Sequence, residues 1–191
     1  MAANMGLITK KCFPNAIGVT DRFHVQKITL EALQEIRSKY RWQAIDRENE
    51  AIEKATQTNN KFESKTLTNA DTLKQLLALS RYFPNKNKSK SSGSQRERSS
   101  LLLELYPDID KAYYLAQDLR NIFEKTTDKI IRFSRLAKWH EKVNQSGFKS
   151  FNTISRSIMK HYQTILNYFD NRNTNASAQS FNAEIKCFRA I

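Results

Sequence analysis

Apolar positions recur at helical spacing along nearly the whole chain, and one short stretch near its start breaks that rhythm. Between residue 23 and about residue 55, Val25, Ile28, Leu33, Ile36 and Tyr40 follow one another at helical intervals, predicting one long or once-broken helix. Glu50 and Lys54 add an outward pair one turn apart. Thr68 or Asn69 is placed to cap the next helix, whose stripe is Leu73, Leu76, Leu77 and Ser80 or Tyr82, and Pro84 ends it. A helix resumes near Arg96 and stops before Pro107, and another opens at Pro107 and Asp108 with Ile109, Ala112, Ala116, Leu119 and Phe123 turned inward. Residues 128–143, through Ile130, Phe133, Ala137 and Trp139, predict one more. Gly147 separates it from a helix over 150–169 carrying Phe151, Ile154, Ile158, Tyr162, Ile165 and Phe169. The exception is Ala16-Ile17-Gly18-Val19-Thr20, which predicts a short strand running into the first helix at Asp21. Beyond residue 26 no further strand is expected.

Composition agrees with long helices. Only 4 Gly and 3 Pro interrupt 191 residues, and 11 Phe, 7 Tyr and 2 Trp are ample for a packed core, so disorder is excluded. No run approaches the roughly 20 apolar residues that span a bilayer, and residues 1–15 lack the apolar stretch of a signal peptide, which points to the cytoplasm. Cys12 and Cys187 with 3 scattered histidines make neither a disulfide framework nor a zinc pattern. The net charge of +13 favours a polyanionic partner through phosphate neutralisation and counterion release. It is densest in residues 85–98, the one clear loop or linker, where Lys86, Lys88, Lys90, Arg96 and Arg98 face Glu97 as the sole acid. Arg22 and Lys27 are further candidate phosphate contacts. Trp42 and Trp139 are candidate base-stacking groups, with burial in the core as the alternative.

The candidate chemistry lies at the two ends. Asp21 stands where a strand meets a helix, so it either caps that helix or holds a divalent metal, and His24, one turn in, faces the same site or a phosphate, or simply solvent. Gln179, Asn182 and Lys186, at i, i+3 and i+7, share one polar helix face, while Phe181, Ile185 and Phe188 point elsewhere as a core-like set.

Two stretches carry a resemblance to a known family. They are Val19-Thr20-Asp21-Arg22-Phe23-His24-Val25-Gln26, preceded by Cys12-Phe13-Pro14-Asn15-Ala16, and Thr174-Asn175-Ala176-Ser177-Ala178-Gln179-Ser180-Phe181-Asn182-Ala183-Glu184-Ile185-Lys186, preceded by Ile165-Leu166-Asn167-Tyr168-Phe169-Asp170. Together they resemble the DDE-type insertion-sequence transposases of the group called ISL-three. The resemblance implies an RNase H-like domain whose Asp, Asp and Glu hold two magnesium (or manganese) ions for cutting and joining DNA strands. It also implies that a helical insertion separates the second and third acids. Asp21 matches the second acid and is the implied metal ligand. The third falls on Gln179, a neutral amide, and Glu184 lies too far round the helix to replace it. The first acid lies just before the segment matching residues 1–6. Asn182 and Lys186, beside the third position, would contact DNA, as would Arg22, His24 and the 85–98 run.

The expectation is therefore a mostly α chain with a small β remnant, an incomplete RNase H-like domain truncated at both ends. Residues 1–60 hold the strand and first long helix, 61–160 the helical insertion, and 161–191 the C-terminal helices with the third-acid position. A surviving fold sets residues 174–188 beside the strand with Gln179 facing Asp21. The expected function is that of an inactive transposase catalytic fragment that binds DNA. The alternatives are a basic helical regulator that competes with an intact transposase, for DNA or by pairing with it or with itself, and a remnant that scarcely folds.

Overall fold

The computed structural model describes residues 7–8, 11–85, 92–126, 128–171 and 176–189. They are mostly helical, with almost no strand. The elements are α1 (Arg22–Gln57), α2 (Leu73–Leu79), a 3-10 helix (Ser80–Asn85), α3 (Gly93–Leu105), α4 (Pro107–Lys125), α5 (Lys129–Ser146), α6 (Lys149–Lys160), α7 (Tyr162–Asn171) and α8 (Ala176–Arg189). Among the described residues no helix is long and apolar enough to cross a membrane.

The 36-residue α1 runs unbroken because neither Gly nor Pro occurs within it. Val25, Ala32, Leu33 and Ala44 are buried on it, and it packs against α4, α2, α6 and the 3-10 helix, so it serves as the spine of the bundle. Helix α4 is the second spine, with Ile109, Ala112, Leu119 and Phe123 buried as their spacing predicts. Pro107 opens it and Asp108 and Asp110 sit at the positive end of its dipole. The true cap of α2 is Thr72 rather than Thr68 or Asn69: its hydroxyl accepts from Gln75 N–H while the Gln75 side chain accepts from Thr72 N–H in return. Helix α3 starts at Gly93, earlier than expected, because Ser92 and Gln95 build the same reciprocal cap.

Three expectations are corrected by packing. Residues 16–20 are extended but pair with no strand among the described residues, where the one β-bridge joins Thr66 to Thr72. The hydrogen bonds of this segment go to a helix instead. Thr20 N–H donates to the Thr164 carbonyl at 2.8 Å, the two threonine hydroxyls meet at 2.7 Å, and Asn167 Nδ2 donates to the Gly18 carbonyl at 3.0 Å.

The buried face of α5 is Arg132, Leu136, Trp139 and Val143, whereas Ile130, Phe133 and Ala137 are exposed. The stripe runs through an arginine, which an apolar pattern does not count. The Arg132 guanidinium carbon sits 3.4 Å from the centre of the Phe169 ring, a cation–π contact that lets the group enter the core. Trp139 is core as well, 2% exposed, with its indole N–H on the Leu115 carbonyl at 2.8 Å. The helix expected over 150–169 breaks at His161 into α6 and α7, where the His161 carbonyl takes both Thr164 Oγ1 and Ile165 N–H. Tyr162, expected inward, is left 40% exposed by that break.

The Tyr40 hydroxyl donates to Asp108, tying α1 to the start of α4, and the Tyr40 and Tyr106 rings meet at 4.9 Å. That hydrogen bond, then burial, pushes the Tyr40 phenol from 10.0 up to about 12. A group whose folded pKa is raised contributes fully below its unfolded value and loses its contribution as pH rises through the folded one. Wild-type stability in urea is expected to fall between pH 10 and about pH 12 by more than that of Tyr40→Phe, which has no proton to lose. Parallel curves for the two would refute this role.

Candidate nucleic-acid and metal site

Asp21 is the N-cap of α1. Its backbone is extended (φ −64°, ψ 136°), Oδ1 accepts from Phe23 N–H at 2.9 Å, and its carbonyl accepts from His24 and Val25 N–H. The capping role read from sequence is thus occupied, and the carboxylate reaches this place through an extended segment clasped to α7. The clasp gives the two motif regions a physical connection. Thr20, next to Asp21, is bonded to Thr164 on the helix that leads towards the second motif. Gly18 sits under the same threonine, where an added Cβ would lie 3.5 Å from Thr164 Cγ2.

Arg22 is half-buried and His24 and Phe23 are exposed in the first turn, so this end of α1 offers a cation, an imidazole and an aromatic ring to solvent. Residues 176–189 are helical as expected, with Lys186 exposed and Ile185 half-buried. Phe188, expected to anchor the inner face, is 82% exposed. Gln179 and Asn182 belong to α8, but their side chains, and with them the expected approach of Gln179 to Asp21, lie outside the described residues. Lys86, Lys88 and Lys90 also lie outside them.

Of the remaining basic candidates, Arg96 is exposed on α3, whereas Arg98 forks onto Asp71, with Nε to Oδ2 at 2.6 Å and Nη2 to Oδ1 at 3.3 Å. That fork, with Asn69 Nδ2 at 2.7 Å, holds the Asp71 carboxyl below the usual carboxylate range and raises Arg98. Arg98 thereby ties α3 to the loop before α2. Trp42 is 62% exposed, free to stack; Trp139 is withdrawn from that role by its burial. Sequence reasoning passed over Arg37, Arg41 and Arg81, although the one-turn spacing of the first two was visible.

Among the described residues no three His, Cys, Asp or Glu side chains come together in a way that could hold a metal ion. A single carboxylate beside a helix start can cap, hydrogen-bond and weakly attract a cation. It cannot balance the four charges of a magnesium pair, which hard oxygen donors of matching negative charge must offset.

No curated protein and no solved structure matches the chain. The family model of the ISL-three DDE transposases, described as a transposase, matches residues 1–191, a span that includes both motifs. On that match the chain belongs to the ISL-three family of transposases.

Proposed function

We propose that this chain carries a DDE transposase catalytic domain that binds DNA and does not cut it. Its architecture is read as an incomplete RNase H-like domain in which residues 61–160 form the helical insertion and 161–191 carry the third-acid helix. The extended residues 16–20, with Ile17 76% and Val19 37% exposed, fit a strand without its sheet neighbours. The observation that carries the loss of activity is the donor set. Asp21 is engaged as a helix cap, and the position matching the third acid is the neutral Gln179.

Divalent metal serves the family by activating the attacking oxygen and stabilising the leaving one. Among the described residues no set of side chains fits that pair of ions. What remains is electrostatic: a net charge of +13 and the cation, imidazole and ring at the start of α1 favour the phosphate backbone over any particular base.

The test is incubation with supercoiled plasmid, and with duplexes bearing the element's ends, in magnesium and then in manganese. No nicking or joining above background is expected. Asn caps a helix about as well as Asp, so Asp21→Asn removes the charge while leaving the start of α1 intact. Strand cleavage by the wild type that disappears in this variant would overturn the reading.

A further inference from the structure

Well along α1 from Asp21, the structure gathers three arginines. Arg37 and Arg41 stand one turn apart on α1, and Arg81 faces them from the 3-10 helix. Arg37 is only 6% exposed; its Nε donates to Gln34 Oε1 at 2.6 Å and its Nη1 to the Leu77 carbonyl, while Gln34 Nε2 donates to the Arg81 carbonyl at 2.6 Å. These bonds hold α1 against α2 and against the 3-10 helix that follows it. Burial first, and then the charges of Arg41 and Arg81, hold the Arg37 guanidinium below its ordinary value.

Among the described residues no carboxylate pairs with any of the three. An exposed ring, Tyr82, borders the group. The Arg81 guanidinium lies 5.7 Å from the centre of the Tyr82 ring, and Tyr82 is 61% exposed. Like charges held together without a countercharge repel, and the arrangement is relieved when a polyanion supplies the missing charge. Arginine is suited to phosphate oxygens by its planar, forked donors.

We propose that Arg41 and Arg81, backed by the buried Arg37 and bordered by Tyr82, form a docking point for the duplex DNA backbone, separate from the Asp21 end of the helix. The proposal rests on DNA being the partner. At 1.5 Å per residue Arg41 lies about 30 Å along α1 from Asp21, so the two places are distinct.

The test uses the full chain and a fluorescein-labelled duplex of 20 base pairs, with affinity measured by anisotropy across a salt series. Every phosphate that is no longer neutralised lowers the slope of log affinity against log salt by about 0.9, so Arg41→Ala/Arg81→Ala is expected to lower it by about 1.8 and weaken low-salt binding by about 10- to 100-fold. Lys54→Ala/Lys61→Ala removes the same charge from exposed positions elsewhere and is expected to change affinity less than about threefold. Circular dichroism and the urea midpoint report folding. If the double variant misfolds, the single charge reversal Arg41→Glu must produce the weakening.

An unchanged slope, or equal weakening in both double variants, overturns this surface and leaves DNA binding standing. A wild-type chain that ignores duplex DNA at low salt overturns both. Preferential binding of RNA or of anionic lipid vesicles that disappears in Arg41→Ala/Arg81→Ala overturns the choice of duplex DNA.

Discussion

Trp139→Ala is expected to lower the unfolding free energy by about 3–5 kcal/mol, the range for removing a large aromatic side chain from a packed core. Trp139 is 2% exposed, and its indole N–H on the Leu115 carbonyl couples α5 to α4 at a buried point. Truncation leaves a cavity between the helices and removes that donor, two effects that act in the same direction. Trp42→Ala, at a position 62% exposed, is expected to stay within about 0.5 kcal/mol of wild type. Urea titrations followed by far-UV circular dichroism measure both, and similar shifts for the two tryptophans would contradict the burial described.

The second large effect tests which face of α5 enters the core. Leu136→Ala is expected to cost about 2–5 kcal/mol, because Leu136 is 2% exposed in line with Arg132, Trp139 and Val143. Ile130→Ala is expected to cost less than about 0.5 kcal/mol, since that side chain is 78% exposed. The comparison is informative because the apolar periodicity in the sequence favours Ile130, Phe133 and Ala137. A larger midpoint shift for Ile130→Ala than for Leu136→Ala would restore the face chosen by periodicity.

Secondary structure was legible wherever a local interaction decides it. The scarcity of Gly and Pro and the helical recurrence of Val25, Leu33, Ile109, Leu119, Phe151 and Ile165 give the helices and most of their buried faces, because backbone hydrogen bonding and one-sided burial are written into near neighbours. Asp21 as a helix cap is equally local, and so is the break at Gly147, whose positive φ of 78° suits a residue without a side chain. The family motifs were legible for a different reason: they are particular residue types in a particular order, and the match over residues 1–191 agrees with them.

Tertiary structure alone decided the rest. Residues 16–20 carry a strand-like pattern, but a strand needs an edge to pair with, and Thr164 and Asn167 of α7 take those hydrogen bonds instead. Phe169 turns Arg132 into a core residue by offering its ring face to the guanidinium. The 3-10 helix after α2 sets Arg81 opposite Arg37 and Arg41, some 40 positions distant in sequence. Each outcome depends on a partner far along the chain, so no window of neighbouring residues contains it. Local spacing and residue order carried most of the helices, the capping alternative for Asp21 and the family motifs; which cations are buried, which are paired and which stand together was settled only when the helices packed.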